Sequence, residues 1–182
     1  QRGAPKLALL DLDQAVELLP NNFRPYYERG VVHHEMRNYE LAIRDYGTAI
    51  RLDPQYVYAY NNIGLNYERI GNKVMARTYY DAAIKLRPNN NYALTRRGFI
   101  TASDGGYEAA LVDYNAAIAV EPRHLLARVY RAESYERLGR LQEAVADYQA
   151  VIDVPTTRAG VSDDQLAKRA AVKGIEGVKH KI

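Results

Sequence analysis

Histidines are the side chains best suited to chemistry near neutral pH, and the chain has four: His33, His34, His124 and His180. His33 and His34 stand beside Glu35, a set of types that binds zinc when its members converge. Here they diverge, because adjacent helical residues point about 100° apart, whereas helical ligands share an ion at i, i+4. His124 follows Pro122 at a turn and His180 lies in a basic tail; neither has a serine or an acid at triad-like spacing. The chain contains no cysteine, which removes disulfides, cysteine-ligated zinc and a thiol nucleophile. It has no GxxxxGK(S/T) phosphate loop, no HExxH pair and no GxSxG elbow. The glycine pair Gly105–Gly106 reads as a turn between helices. The residues therefore offer no catalytic site, no metal site and no cofactor, and the expectation is a protein that is not an enzyme.

What positions these residues is a folded chain. Of its 182 residues, 47% are hydrophobic and 26% charged, a balance that supports a core and argues against disorder. No run approaches the ~20 apolar residues of a membrane-spanning helix. The net charge of +3 is unevenly placed: from Gln165 onward five basic residues face one acid, and the rest is nearly neutral. Such a tail gives weak, salt-sensitive attraction, so neither nucleic acid nor an acidic membrane is the expected partner. Residues 1–10 lack the order of a signal peptide, and a location in the cytosol or export after signal removal are both compatible with the sequence.

Pro20, Pro54, Pro88 and Pro122 recur at a fixed step of 34 residues, with Pro155 one residue early. Gly30, Gly64 and Gly98 follow the same step, with Ala132 next in line. So do Ala42, Ala76, Ala110 and Ala144; Tyr46, Tyr80, Tyr114 and Tyr148; and Ala49, Ala83 and Ala117, where Val151 interrupts. Each repeat holds two amphipathic segments: Tyr60, Ile63, Gly64 and Tyr67 fall at i, i+3, i+4, i+7, and Ala76, Tyr80, Ala83 and Ile84 do the same after Gly71–Asn72. Small residues let paired helices approach, the tyrosine ring supplies buried apolar area, and the proline ends the second helix.

These columns resemble the tetratricopeptide repeat family, from Gly3 to Pro155. The resemblance implies an all-α, right-handed α-solenoid of helix-turn-helix repeats. Residues 1–22 supply the second helix of an incomplete repeat; full repeats occupy 23–56, 57–90, 91–124 and 125–157; residues 158–182 form a capping helix and basic tail. Helices are expected over 4–19, 23–36, 39–52, 57–70, 73–86, 91–104, 107–120, 125–138 and 141–153. A tenth starts after Ser162, because Ser162-Asp163-Asp164-Gln165 is a capping-box pattern, with Leu166, Ala170 and Val172 covering the last hairpin. At the other end the first helix has no partner before it. Either the natural protein is longer or another subunit covers Leu9, Leu12 and Val16, which makes self-association as a homo-oligomer an alternative reading.

With one face of each first helix committed to the core, its other flank becomes the binding surface. That flank presents Arg24, Tyr27, Tyr58, Asn61, Leu65, Tyr92 and Phe99, with Asn62, Arg96 and Tyr130 beside them. In the resembling family this side lines a concave groove, which implies a scaffold or adaptor that binds a peptide or protein segment there. A regulatory module of a larger enzyme is a further alternative. Some family members grip a C-terminal carboxylate with a lysine–asparagine–arginine clamp. Asn62 and Arg96 match it, but Tyr27, Val31 and Tyr92 stand where its lysines and other asparagine are expected. Charged pairs at helix ends, such as Glu68–Arg69 and Glu136–Arg137, read as solvated.

Overall fold

The protein was analysed as a computed structural model, which describes residues 4–155 and 163–180. Ten helices make up the described secondary structure: α1 (Ala4–Leu18), α2 (Phe23–Glu35), α3 (Tyr39–Leu52), α4 (Val57–Arg69), α5 (Lys73–Leu86), α6 (Asn91–Ser103), α7 (Tyr107–Val120), α8 (Leu125–Arg137), α9 (Leu141–Ile152) and α10 (Asp163–Lys179). No strand occurs among the described residues. The chain divides into two compact units, residues 1–88 with α1–α5 and residues 89–182 with α6–α10. Within each, every helix packs on the next in sequence.

Local chemistry explains the breaks. The residue closing the turn inside each hairpin adopts a left-handed backbone: Arg37 (φ 61°), Gly71 (φ 81°), Gly105 (φ 87°) and Gly139 (φ 73°). Glycine takes that conformation freely; Arg37 takes it at a cost of roughly 1 kcal/mol. Gly105 is thus the inter-helix turn its sequence suggested. Between hairpins, the carbonyl of the turn proline is held from the following helix. Tyr26 Oη donates to Pro20 O at 3.2 Å, Tyr60 Oη to Pro54 O at 3.1 Å, and Arg128 Nη2 to Pro122 O at 3.0 Å. Asn22, Asn72 and Asn90 cap the helices that follow them by accepting backbone N–H bonds.

The core repeats one contact. Tyr46, Tyr80 and Tyr114 lie against Gly30, Gly64 and Gly98, so that a Cβ on any of these glycines would stand 2.7 Å from ring carbon Cε1. Each ring is at most 1% exposed. Burying one removes about 150–250 Å² from water, worth on the order of 4 kcal/mol. The fourth ring, Tyr148, finds its glycine elsewhere: a Cβ on Gly174, in α10, would come within 2.3 Å of Tyr148 Cζ.

Helix α10 covers the last hairpin through Ala167, Ala171, Ile175 and Val178, which are buried with Val151 and Tyr148. Of the expected capping residues Ala170 packs against this core, whereas Leu166 and Val172 are 62% and 46% exposed, because the buried stripe runs through the positions beside them, 167 and 171. Ser162, the first residue of the expected capping box, lies outside the described residues. At the opposite end, α1 packs on α2 and half-covers Leu9, Leu12 and Val16; its exposed residues are instead Leu7, Leu10 and Leu18.

A second 34-residue column was not anticipated. Arg29 donates to both carboxylate oxygens of Asp45 (2.8 and 2.7 Å), Arg97 to Asp113 (2.9 and 2.6 Å) and Arg131 to Asp147 (2.6 and 2.6 Å). The aspartates are buried, and hydrogen bonding to them raises the pKa of Arg29 and Arg131 above the ordinary guanidinium value. In the second repeat the two positions hold Ile63 and Tyr79, an apolar pair in place of an ionic one. Breaking a buried pair strands a charge, whereas replacing both members is close to neutral. Arg97→Ala is therefore expected to cost roughly 3 kcal/mol in urea unfolding. Arg97→Ile combined with Asp113→Tyr should recover most of that loss; a double variant as unstable as the single one would show that the charges themselves are required.

Candidate binding site

In the first unit the flank residues of α2 and α4 meet in an aromatic cluster. The Tyr27 ring stands edge-on to Tyr56 at 4.9 Å and 5.4 Å from Tyr46, and its hydroxyl accepts from Asn62 Nδ2 at 3.1 Å. Burial and the nearby Tyr56 raise its pKa. Tyr27 is thus tied into the hairpin packing, as is Asn62. Tyr58 stays 51% exposed, with its ring 5.5 Å from Tyr56 and the Arg87 guanidinium 5.6 Å above it. Arg24 is exposed and Leu65 half-buried. Asn61 is only 8% exposed, which corrects its expected place on the accessible flank: the fifth position of these helices faces the neighbouring helix, as the burial of Thr95 and Val129 repeats. Tyr56, just before α4, belongs to this cluster, although the repeat columns gave no sign of it.

In the second unit the corresponding flank opens into a cleft of about 710 Å³. Phe99, Ala102 and Ser103 of α6 form one wall, Tyr107 and Tyr114 of α7 the floor side, and Tyr130, Glu133, Ser134, Glu136 and Arg137 of α8 the other wall. Phe99 and Tyr130 have ring centroids 4.9 Å apart, and the Arg96 guanidinium stacks 5.2 Å over Phe99. Tyr92 is half-buried on α6. Of the residues expected to bind, Phe99 and Tyr130 line this cleft directly and Arg96 borders it through Phe99. Tyr107, Ser103, Tyr114 and Arg137 were missed; the only trace of them in the sequence is that Ala102 and Ser103 are small where a wall is needed.

Two glutamates expected to be solvated are structural. Tyr80 Oη donates to Glu68 Oε1 at 2.5 Å, and Tyr148 Oη to Glu136 Oε1 at 2.6 Å. Burial, together with the bond to Glu136, raises the Tyr148 pKa. On the cleft wall, Glu133 reaches solvent, yet the protein around it and then Glu136 raise its carboxyl pKa, with Arg137 acting in the opposite sense. His34 and His124 make hydrogen bonds, and His33 packs beside Asp45. His34 Nδ1 is 3.0 Å from Asn66 Oδ1, His33 Nε2 is 3.9 Å from Asp45, and His124 Nε2 is 2.9 Å from Thr95 Oγ1, with burial lowering the His124 pKa. Among the described residues no three His, Asp or Glu side chains gather as a metal site would require, and no helix is long and apolar enough to cross a membrane.

An all-helical chain of hairpins at a 34-residue step, with a cleft between successive first helices, defines the class of helical-repeat proteins. Family models described as TPR repeat and Tetratricopeptide repeat match residues 38–71, 57–90 and 102–159, and the chain belongs to the tetratricopeptide repeat family. A comparison with curated proteins finds no match. Among solved structures, the chain is similar to MamA protein, with 23% identity, TM-score 0.72, and coverage of 82% of this chain and 81% of that one. It is similar to MamA residues 41-end from Desulfovibrio magneticus RS-1 (19% identity, TM-score 0.74, coverage 88% and 90%). It also resembles YrrB, described as a TPR protein with an unusual peptide-binding site (18% identity, TM-score 0.69, coverage 92% and 90%). At these identities the likeness establishes the shared fold.

The hydroxyl column gives a direct test of these bonds. Tyr148→Phe removes the partner of Glu136 and should lower unfolding free energy by about 1 kcal/mol. Tyr114→Phe removes a hydroxyl that meets no hydrogen-bond partner among the described residues and should leave stability unchanged or raise it. Equal losses in the two variants, read by chemical denaturation, would show that Tyr114 is paired after all.

Proposed function

We propose that this chain is an interaction scaffold that holds an extended segment of another protein on the first-helix side of its repeats. The observation that carries this reading is the cleft between α6 and α8: about 710 Å³ of open space walled by aromatic rings, on helices that have already spent their other face on the core. Its size lies within the range of about 300–1,000 Å³ typical of ligand sites, and its mix of rings with a few polar groups is that of a recognition surface. The family membership points the same way, since tetratricopeptide repeats act as modules that bind other proteins, and one structural neighbour carries a peptide-binding site by its own description. The carboxylate clamp finds no support, because Asn62 is engaged by Tyr27 and Arg96 by Phe99.

Selection of a phage-displayed random dodecapeptide library on the full chain tests the reading. Enriched peptides should bind the Arg96→Ala/Tyr92→Ala double variant at least about tenfold more weakly. The melting temperature of the variant should shift by no more than a few degrees. Unchanged affinity in the folded variant would move the binding surface elsewhere. A second reading, self-association through α1, draws on Leu7, Leu10 and Leu18, each at least 64% exposed.

A further inference from the structure

The column of tyrosine hydroxyls is not uniform. Twelve residues before Tyr80 and Tyr148 stand the glutamates that accept their hydroxyl protons, whereas twelve before Tyr46 and Tyr114 stand His34 and Ala102; of these two tyrosines Tyr114 is the one whose buried hydroxyl is left over. Tyr114 is fully buried, its hydroxyl meets no hydrogen-bond partner among the described residues, and the residue forms part of the cleft wall together with Ala102. The nearby Ser134 directs its own proton to the Tyr130 carbonyl at 2.9 Å. A buried hydroxyl left unmade costs about 1–3 kcal/mol, so an incoming polar group recovers energy at this point.

We propose that the cleft receives the basic side chain, lysine or arginine, of the bound polypeptide, an assignment that rests on the groove reading above and specifies its ligand. Three features of the walls select a cation. Glu133 and Glu136 line the cleft together with Arg137, while the second nearby cation, Arg96, is held at its border on the Phe99 ring. Among the described residues Glu133 makes no hydrogen bond and no ion pair; the protein around it and then Glu136 raise its carboxyl pKa, with Arg137 opposing them. The rings of Tyr107 and Tyr130 attract a cation, and with Phe99, which already carries the Arg96 guanidinium, they pack the aliphatic stem that bears it. The Tyr114 oxygen then accepts an N–H from the ammonium or guanidinium group, which supplies the partner the repeat lacks. An acidic side chain entering in place of the absent glutamate would instead meet two carboxylates.

The selected dodecapeptides provide the probe. They should share a lysine or arginine, and replacing it with norleucine should weaken binding by about tenfold. Glu133→Gln should weaken the basic peptides by a similar factor and leave the norleucine versions unaffected, a non-additivity that a purely structural role for Glu133 does not produce. Tyr114→Phe should weaken the basic peptides severalfold while the protein remains as stable as wild type. A consensus without a basic residue, an acidic residue at its fixed position, or equal losses for basic and norleucine peptides in Glu133→Gln overturns the proposal. Peptides that are lost by Arg96→Ala/Tyr92→Ala but indifferent to Glu133→Gln overturn it while the groove reading stands. A selection that enriches nothing overturns both.

Discussion

Everything in the fold depends on how close the two helices of a hairpin can come. That distance is set by a tyrosine ring lying on a glycine, with no room for even one methyl group between them. The glycine is a poor helix former, costing about 1 kcal/mol relative to alanine, and the burial of the ring offsets this several times over. Because the contact recurs at the 34-residue step, the helices on either side inherit the same spacing. The flank that faces away from the tyrosine is then presented in the same way by α2, α4, α6 and α8. The protein's recognition surface is in this sense a by-product of core packing, and its chemistry is free to vary because the core does not use it.

The arginine–aspartate pairs qualify that picture. They are bidentate, largely shielded from solvent, and present in three of the four hairpins. The second hairpin does without one, using Ile63 and Tyr79, and its helices run over the same bounds as those of the first and third. An ion pair at this position therefore fixes the relative register of two helices without being indispensable to their packing. Its desolvation consumes much of what its hydrogen bonds contribute, which is why an apolar pair can replace it.

Much of this architecture was legible in the chain. The proline, glycine, alanine and tyrosine columns placed the boundaries of α1–α9 to within a residue, because each column marks a steric requirement that only one or two residue types meet. The site was less legible. A helix period of 3.6 separates a core face from its opposite but cannot say which flank positions are closed by the neighbouring first helix, so Asn61 was placed outside when it is buried. Tyr27 looked like a rim residue, and its tie to Asn62 spans 35 residues, beyond any local pattern. The ion-pair column was hidden because Ile63 and Tyr79 interrupt it. The exception at Ala102 was invisible for the opposite reason: the bonds from Tyr80 to Glu68 and from Tyr148 to Glu136 must be seen before their absence at Tyr114 acquires meaning.

The seat of Tyr148 has a consequence for the order in which the chain becomes structured during synthesis. Tyr46, Tyr80 and Tyr114 rest on glycines that precede them, so each of those rings finds its seat within its own hairpin as soon as the second helix has been made. Tyr148 must wait for Gly174, a residue made later and belonging to another helix. The last hairpin therefore emerges with its central ring only partly housed, and α10 completes it as an integral member and not as a lid laid over a finished core. Growth from the first hairpin to the third follows the direction of translation; closure of the fourth runs backward along the chain.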